Sequence, residues 1–124
     1  MGYLDRCDVS VLLGKTLVSV KDVGDEIVFE VDDGSKYRLY HYQDCCESVY
    51  IEDINGELSD LVGSPITLSE ESFGSAPEGF SEDGYDSYTW TFYRFATVKG
   101  YVNIRWCGHS NGYYSERVDF EKIA

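Results

Sequence analysis

One short run concentrates side chains able to do chemistry: His41-Tyr-Gln-Asp-Cys-Cys-Glu-Ser-Val-Tyr-Ile-Glu-Asp-Ile54. With Cys107 and His109 further on, its His41, Cys45 and Cys46 are the residue types that hold zinc. The spacing argues against a metal. Adjacent cysteines rarely ligate one ion together, and no Cys-x-x-Cys pair is present. A cysteine nucleophile would need a base and an orienting group. The acids around Cys45 and Cys46 would raise a thiol's pKa instead of lowering it. Free, packed thiols are therefore expected at all four cysteines, Cys7 included. No P-loop, dinucleotide-binding glycine pattern or His-Glu-x-x-His motif appears. No cofactor is implied, and a thiol- or zinc-dependent enzyme ranks behind a binding protein.

A second constellation emerges from the C-terminal strands. Reading Ser110-Asn111-Gly112 as a three-residue loop pairs Ile104 with Val118 and Val102 with Phe120. Reading Lys99-Gly100 as a two-residue loop pairs Phe95 with Ile104 and Tyr93 with Trp106. Both turns then place Tyr93, Phe95, Val102, Ile104, Trp106, Val118 and Phe120 on one core face. The other face aligns Arg94, Arg105 and Arg117 across three strands. Trp90, His109 and Tyr113 form a second row there, with Phe92, Cys107 and Ser115 between them, and Asn103 lies opposite Asp119. Three like charges in a row call for a counter-charge. Either the chain's own Glu47, Glu52 or Asp53 covers them, or the row clamps a phosphate or carboxylate while aromatic rings stack a base.

The elements that must carry these groups are mostly strands. Thr16–Val23, Glu26–Val31 and Tyr37–Tyr40 form a meander turned by Gly24-Asp25 and Asp32-Asp33-Gly34. Val49–Ile54 is a short strand. Leu58, Leu61 and Val62 stand at helical spacing, which predicts one short helix before Gly63. Pro65–Leu68 is extended, and residues 70–87 read as an acidic, mobile loop. Strands come next at Tyr88–Val98, Tyr101–His109 and Tyr113–Phe120. The expected architecture is one α+β domain over residues 1–124, mainly antiparallel sheet, with a single short helix.

Charge patterning narrows the partners. The chain has 124 residues and a formal net charge of -13. Between Arg38 and Arg94 it holds twelve acids and no Lys or Arg, while the flanks are nearly balanced. Such an anionic middle disfavours direct nucleic-acid binding. It suits either a solvated face or a surface that mimics DNA and blocks a basic partner. No run approaches the roughly 18 apolar residues of a membrane span. No signal-peptide pattern is seen, and Met1-Gly2 opens like a myristoylation motif in which Arg6 stands where Ser or Thr is wanted. The expectation is an intracellular protein that self-associates through its aromatic-rich strands.

The motif His41-x-Gln-Asp-Cys-Cys-Glu-x-Val, followed by Ile51-Glu-Asp-Ile-x-Gly-x-Leu-x-Asp-Leu-x-Gly-x-Pro65, resembles a family of small phage and prophage proteins known only as a domain of unknown function. Tyr-Thr-Trp-Thr-Phe-Tyr93, Lys99-Gly-Tyr-Val-x-Ile-Arg-Trp106 and Ser110-Asn-Gly-Tyr-Tyr-Ser-Glu116 extend the resemblance over Leu13 to Phe120. Cys107 and His109 are atypical of that pattern. The resemblance implies a bacterial cytoplasmic setting and a non-enzymatic counter-defence role. It brings no catalytic residues. The leading reading is capture of a nucleotide-like anion by Arg94, Arg105, Arg117, Trp90, Phe92, Asn103, His109 and Tyr113. The alternative is an acidic DNA mimic that inhibits a host defence protein.

Overall fold

Eight strands alternate inward and outward residues, and the inward set of two sheets meets in one core. The computed structural model describes residues 6–124. The Met1-Gly2 start therefore lies outside the described residues. The first sheet has the order β1-β2-β3-β8 and the second β4-β7-β6-β5, every pairing antiparallel. The strands are β1 Leu17–Asp22, β2 Glu26–Val31, β3 Lys36–Tyr40, β4 Ser48–Asn55, β5 Leu68–Gly74, β6 Ser87–Thr97, β7 Gly100–Ser110 and β8 Asp119–Lys122.

In β2 the pattern is period-two throughout: Ile27, Phe29 and Val31 are buried and the residues between them are half-exposed. The β6 and β7 runs do the same with Tyr93, Phe95, Val102, Ile104 and Trp106. Phe29 of the first sheet meets Phe95 of the second at 5.4 Å between ring centroids, which joins the two faces.

The expected α+β class is corrected: the described residues hold no α-helix. The spacing of Leu58, Leu61 and Val62 does fold into a turn, but a 3-10 one, Leu58–Leu61, with only Leu61 fully buried. A second 3-10 turn, Val9–Leu12, follows the Asp8 side chain that accepts from the Ser10 N–H. Four residues give too few hydrogen bonds for a stable α-helix, and one buried residue gives no apolar stripe.

The C-terminal pairing is also corrected. Tyr93 faces Ile104 and Phe95 faces Val102, because Val98-Lys99 is the two-residue loop. The slip from the expected register is two residues, so each side chain keeps its face and the predicted core survives. The expected third strand, Tyr113–Phe120, does not pair with β7. Both edges of β7 are already occupied, by β4 and by β6. The chain instead passes over Gly108, where a Cβ would come within 2.9 Å of Glu116, and joins the first sheet, pairing Phe120 with Leu39.

The interval 70–87, expected as loop, begins inside β5, whose Glu70, Glu71 and Ser72 pair with Arg94, Tyr93 and Phe92. No helix of the described residues is long and apolar enough to cross a membrane.

Candidate ligand-binding site

The outer face of the second sheet carries the groups the sequence singled out, and it is divided in two. On one half, residues 75–86 fold back over the strands. Phe80 packs edge-on to Trp90 at 4.8 Å, and the Trp90 indole N–H donates to Glu82 Oε2 at 2.8 Å. Tyr85 stacks on His109 at 3.8 Å, with Tyr88 and Tyr50 angled around the same ring. Trp90 is only 2% exposed. Its ring already has its neighbours, so it is not presented to a stacking base.

On the other half a cavity of about 320 Å³ is lined by Asp53, Asn55, Ser72, Phe92, Arg94, Asn103 and Arg105, with floor contributions from Tyr93 and Ile104. That volume is at the lower end for small-molecule clefts. Register builds it: Asn55 lies opposite Asn103, Asp53 opposite Arg105, Phe92 opposite Arg105, Arg94 opposite Asn103, and Ser72 opposite Phe92. Gly74 makes room for the aromatic wall, since a Cβ there would stand 2.8 Å from the Phe92 ring.

A bulge between Ile51 and Asp53 sets the charges. Ile51 and Ile54 both pack against the core although they are three apart, which an extra residue in the strand permits. Glu52 and Asp53 then both reach Arg105: Nε donates to Glu52 Oε1 at 2.5 Å, and Nη2 lies 3.8 Å from Asp53 Oδ2. Arg94 meets Glu70 at 3.5 Å on the exposed rim. The chain's own carboxylates thus lie over the arginines, as one alternative required, but Glu47 is not among them. Arg105 keeps guanidinium N–H groups beyond the one spent on Glu52. Asn103 Oδ1 is buried beneath the lining with no hydrogen-bond partner, as is His109 Nδ1 on the covered half.

The expected row of three arginines is not formed. Arg117 sits on the crossover to the first sheet, its side chain 71% exposed and 3.5 Å from Asp119. Tyr113 is 86% exposed in the turn after β7. Both owe their displacement to the same lost pairing. Phe92, Arg94, Asn103 and Arg105 are brought together; Trp90, His109, Tyr113 and Arg117 are not. Asn55 and Ser72 were missed as lining residues. Asn55 reads as a turn before Gly56, and Ser72 lay in the supposed loop.

The family model described as a domain of unknown function (DUF7448) matches residues 10–120. The chain belongs to this family. A search of curated proteins finds no match, and neither does a search of solved structures.

In this DUF7448 member the His41–Ile54 stretch is a structural lock. Nδ1 of His41 donates to the Arg117 carbonyl at 2.6 Å, and Nε2 meets Glu47 Oε2 at 2.6 Å. Glu47 also accepts the backbone N–H groups of Asp44 and Cys45. Burial alone would raise its pKa, yet these backbone donors and His41 outweigh that and hold it at about 2. The free-thiol expectation is corrected at two positions, where the structure joins Cys45 to Cys46 in a disulfide. Cys107 is a buried free thiol that shares a hydrogen bond with the Tyr50 hydroxyl. Burial raises the thiol's pKa, and Glu52, Glu82 and Glu116 push the same way against the Tyr50 hydrogen bond. That is the reverse of what a nucleophile or thiolate ligand needs. His41, Cys45, Cys46, Cys107 and His109 do not converge, and no metal-binding group forms among the described residues.

Proposed function

We propose that this protein is a non-enzymatic binding module that holds a small nucleotide-like ligand in the cavity between Asp53 and Arg94. The observation that carries the reading is a cavity whose lining combines the Phe92 ring with the guanidinium groups of Arg94 and Arg105. An aromatic face stacks any base, and a guanidinium edge suits base or phosphate oxygens. The ligand is not held by bare positive charge, since Glu52, Asp53 and Glu70 offset Arg105 and Arg94. Stacking and hydrogen bonding therefore carry most of the affinity, with a modest salt dependence.

The family resemblance supports a phage or prophage setting in the bacterial cytoplasm, where sequestering a nucleotide signal would serve counter-defence. The DNA-mimic reading draws less support. Glu47, Glu52, Glu70, Glu71 and Glu82 are each engaged within the fold, which removes them from a phosphate-like array.

The test is thermal unfolding in the presence of each of the four common nucleoside 5′-monophosphates at millimolar concentration. A binder raises the midpoint by mass action. The rise should vanish in both Arg105→Ala and Asn103→Ala. A rise that survives both substitutions, or none from any of the four, overturns the proposal.

A further inference from the structure

The connection from β3 to β4 carries the Cys45–Cys46 disulfide, and both cysteines are exposed. Directly beside them lies a buried pair: the His41 side chain is 4% exposed and that of Glu47 0%. We propose that Cys45 and Cys46 form a reversible oxidation site, closed as a disulfide and opened by a dithiol reductant, that fastens and releases the Glu47 lock.

This disulfide is a poor structural staple for two reasons. A cross-link stabilises mainly by closing a loop in the unfolded chain, and the gain shrinks with the loop. Adjacent residues close the shortest loop a chain can have, so little stability follows from this one. Exchange also needs a thiolate to reach a sulfur, and exposed disulfides are the labile ones. Cys107, by contrast, is buried, which shields it from the same reagent.

The coupling to the lock runs through the backbone. Glu47 Oε2 accepts the Asp44 N–H at 2.8 Å, and Glu47 Oε1 accepts the Cys45 N–H at 2.9 Å. Gln43 Nε2 donates to the Glu47 carbonyl at 2.7 Å, which closes the turn from the other side. The S–S bond ties the Cys45–Cys46 peptide into a ring, so the two N–H groups are held toward the carboxylate. Opening the ring restores rotation on both sides of that peptide, and the donors are no longer fixed. Through Glu47 the change reaches His41, whose Nδ1 holds the Arg117 carbonyl, and Ser48, where β4 starts. A local redox event is thereby passed to the crossover between the sheets.

In the opening step a reductant thiolate bonds to one Sγ, the Cys45–Cys46 S–S bond breaks, and the departing cysteine sulfur takes a proton from water. The reductant's second thiolate then bonds to its first sulfur, the mixed disulfide breaks, and the other cysteine is protonated. Two electrons and two protons end on the cysteines. The reductant has given its own two thiol protons to water and leaves as a disulfide, which in excess runs the same steps backward.

The experiment equilibrates the full chain in mixtures of reduced and oxidised dithiothreitol, alkylates it under denaturing conditions and counts blocked thiols by mass spectrometry. The wild type should pass between four thiols and two in one reversible two-electron step, Cys7 and Cys107 supplying the two that persist. Cys46→Ser should lack that step. Between the two end states the His41 ring signals should shift in NMR spectra. The Glu47 carboxyl, held at about 2 with the disulfide closed, should titrate higher once it is open, because backbone donors that lower it are released. The double variant Cys45→Ser/Cys46→Ser should reproduce the reduced spectrum. A pair that never oxidises, or that stays closed in excess reduced dithiothreitol, would overturn the oxidation site. Reversible exchange with the His41 and Glu47 signals unmoved would overturn its hold on the lock.

Discussion

The two halves of one sheet face make an instructive contrast. Both are built by the outward residues of β6 and β7, and both are rich in aromatic and polar groups. On the Trp90–His109 half, residues 75–86 lie over the strands: Glu82 accepts from the indole N–H, Phe80 packs on its ring and Tyr85 stacks on His109, whose buried Nδ1 still has no hydrogen-bond partner. On the Phe92–Arg105 half the outward side chains instead line a cavity. The same residue types thus pack under a covering segment in one place and line a cavity in the other. What distinguishes them is the covering segment, not the residue types.

The contrast can be broken or sharpened by substitution, and the largest expected effect is on binding. Arg105→Ala removes charged hydrogen bonds worth about 1.5–3 kcal/mol, so nucleotide affinity measured by calorimetry should fall roughly 10- to 150-fold. Trp90→Phe on the covered half should leave that affinity unchanged; equal losses from both would erase the distinction.

Stability effects come next. Glu47→Gln, in the lock that leads into β4, should cost about 1–3 kcal/mol in denaturant unfolding at neutral pH, since a charged acceptor of several hydrogen bonds is lost. Its sign with pH is definite. A carboxylate held at about 2 against an ordinary value of 4.5 contributes stability above pH 4.5 and loses it as pH falls toward 2. The wild type should therefore weaken through that window more steeply than the variant. Parallel pH profiles would contradict the lock.

Phe80→Ala should uncover Trp90 at a cost of about 1–2 kcal/mol. Its signature is a red-shifted tryptophan emission, with Trp106 unchanged in the core and cavity binding retained. An unshifted spectrum would show that the loop is not what covers the indole. The smallest effect belongs to Gly74→Ala. The added methyl would crowd the Phe92 ring at 2.8 Å, so affinity should drop a few-fold with little change in unfolding midpoint. Full affinity there would mean that Phe92 is not a working wall of the site.

Much of the fold was legible because alternation is a local property. Ile27, Phe29, Val31, Tyr93, Phe95, Ile104 and Trp106 announce their faces without knowledge of their partners. Pairing is not local, and there the reading failed in two ways. The β6–β7 turn was displaced by one residue, which slips the register by two and leaves every face unchanged. Val118 and Phe120 were assigned correctly to the core, but on the wrong sheet, because β4 holds the edge of β7 that they were expected to take. Arg117 and Tyr113 left the site with that error, whereas Arg94, Arg105, Phe92 and Asn103 stayed because β6 and β7 do pair. The covering role of Phe80, Glu82 and Tyr85 has no periodic signature, so nothing in residues 75–86 disclosed which half of the face they would occupy.

In the proposed function the open half binds a nucleotide and the covered half does not. Backbone and side-chain NMR shifts during titration with each of the four nucleoside 5′-monophosphates test this most directly. Saturable changes at Phe92, Arg94, Asn103 and Arg105, with the Trp90 indole and His109 ring signals unmoved, are the predicted result. Changes centred on Trp90 and His109, or no saturable change at either half, would contradict it.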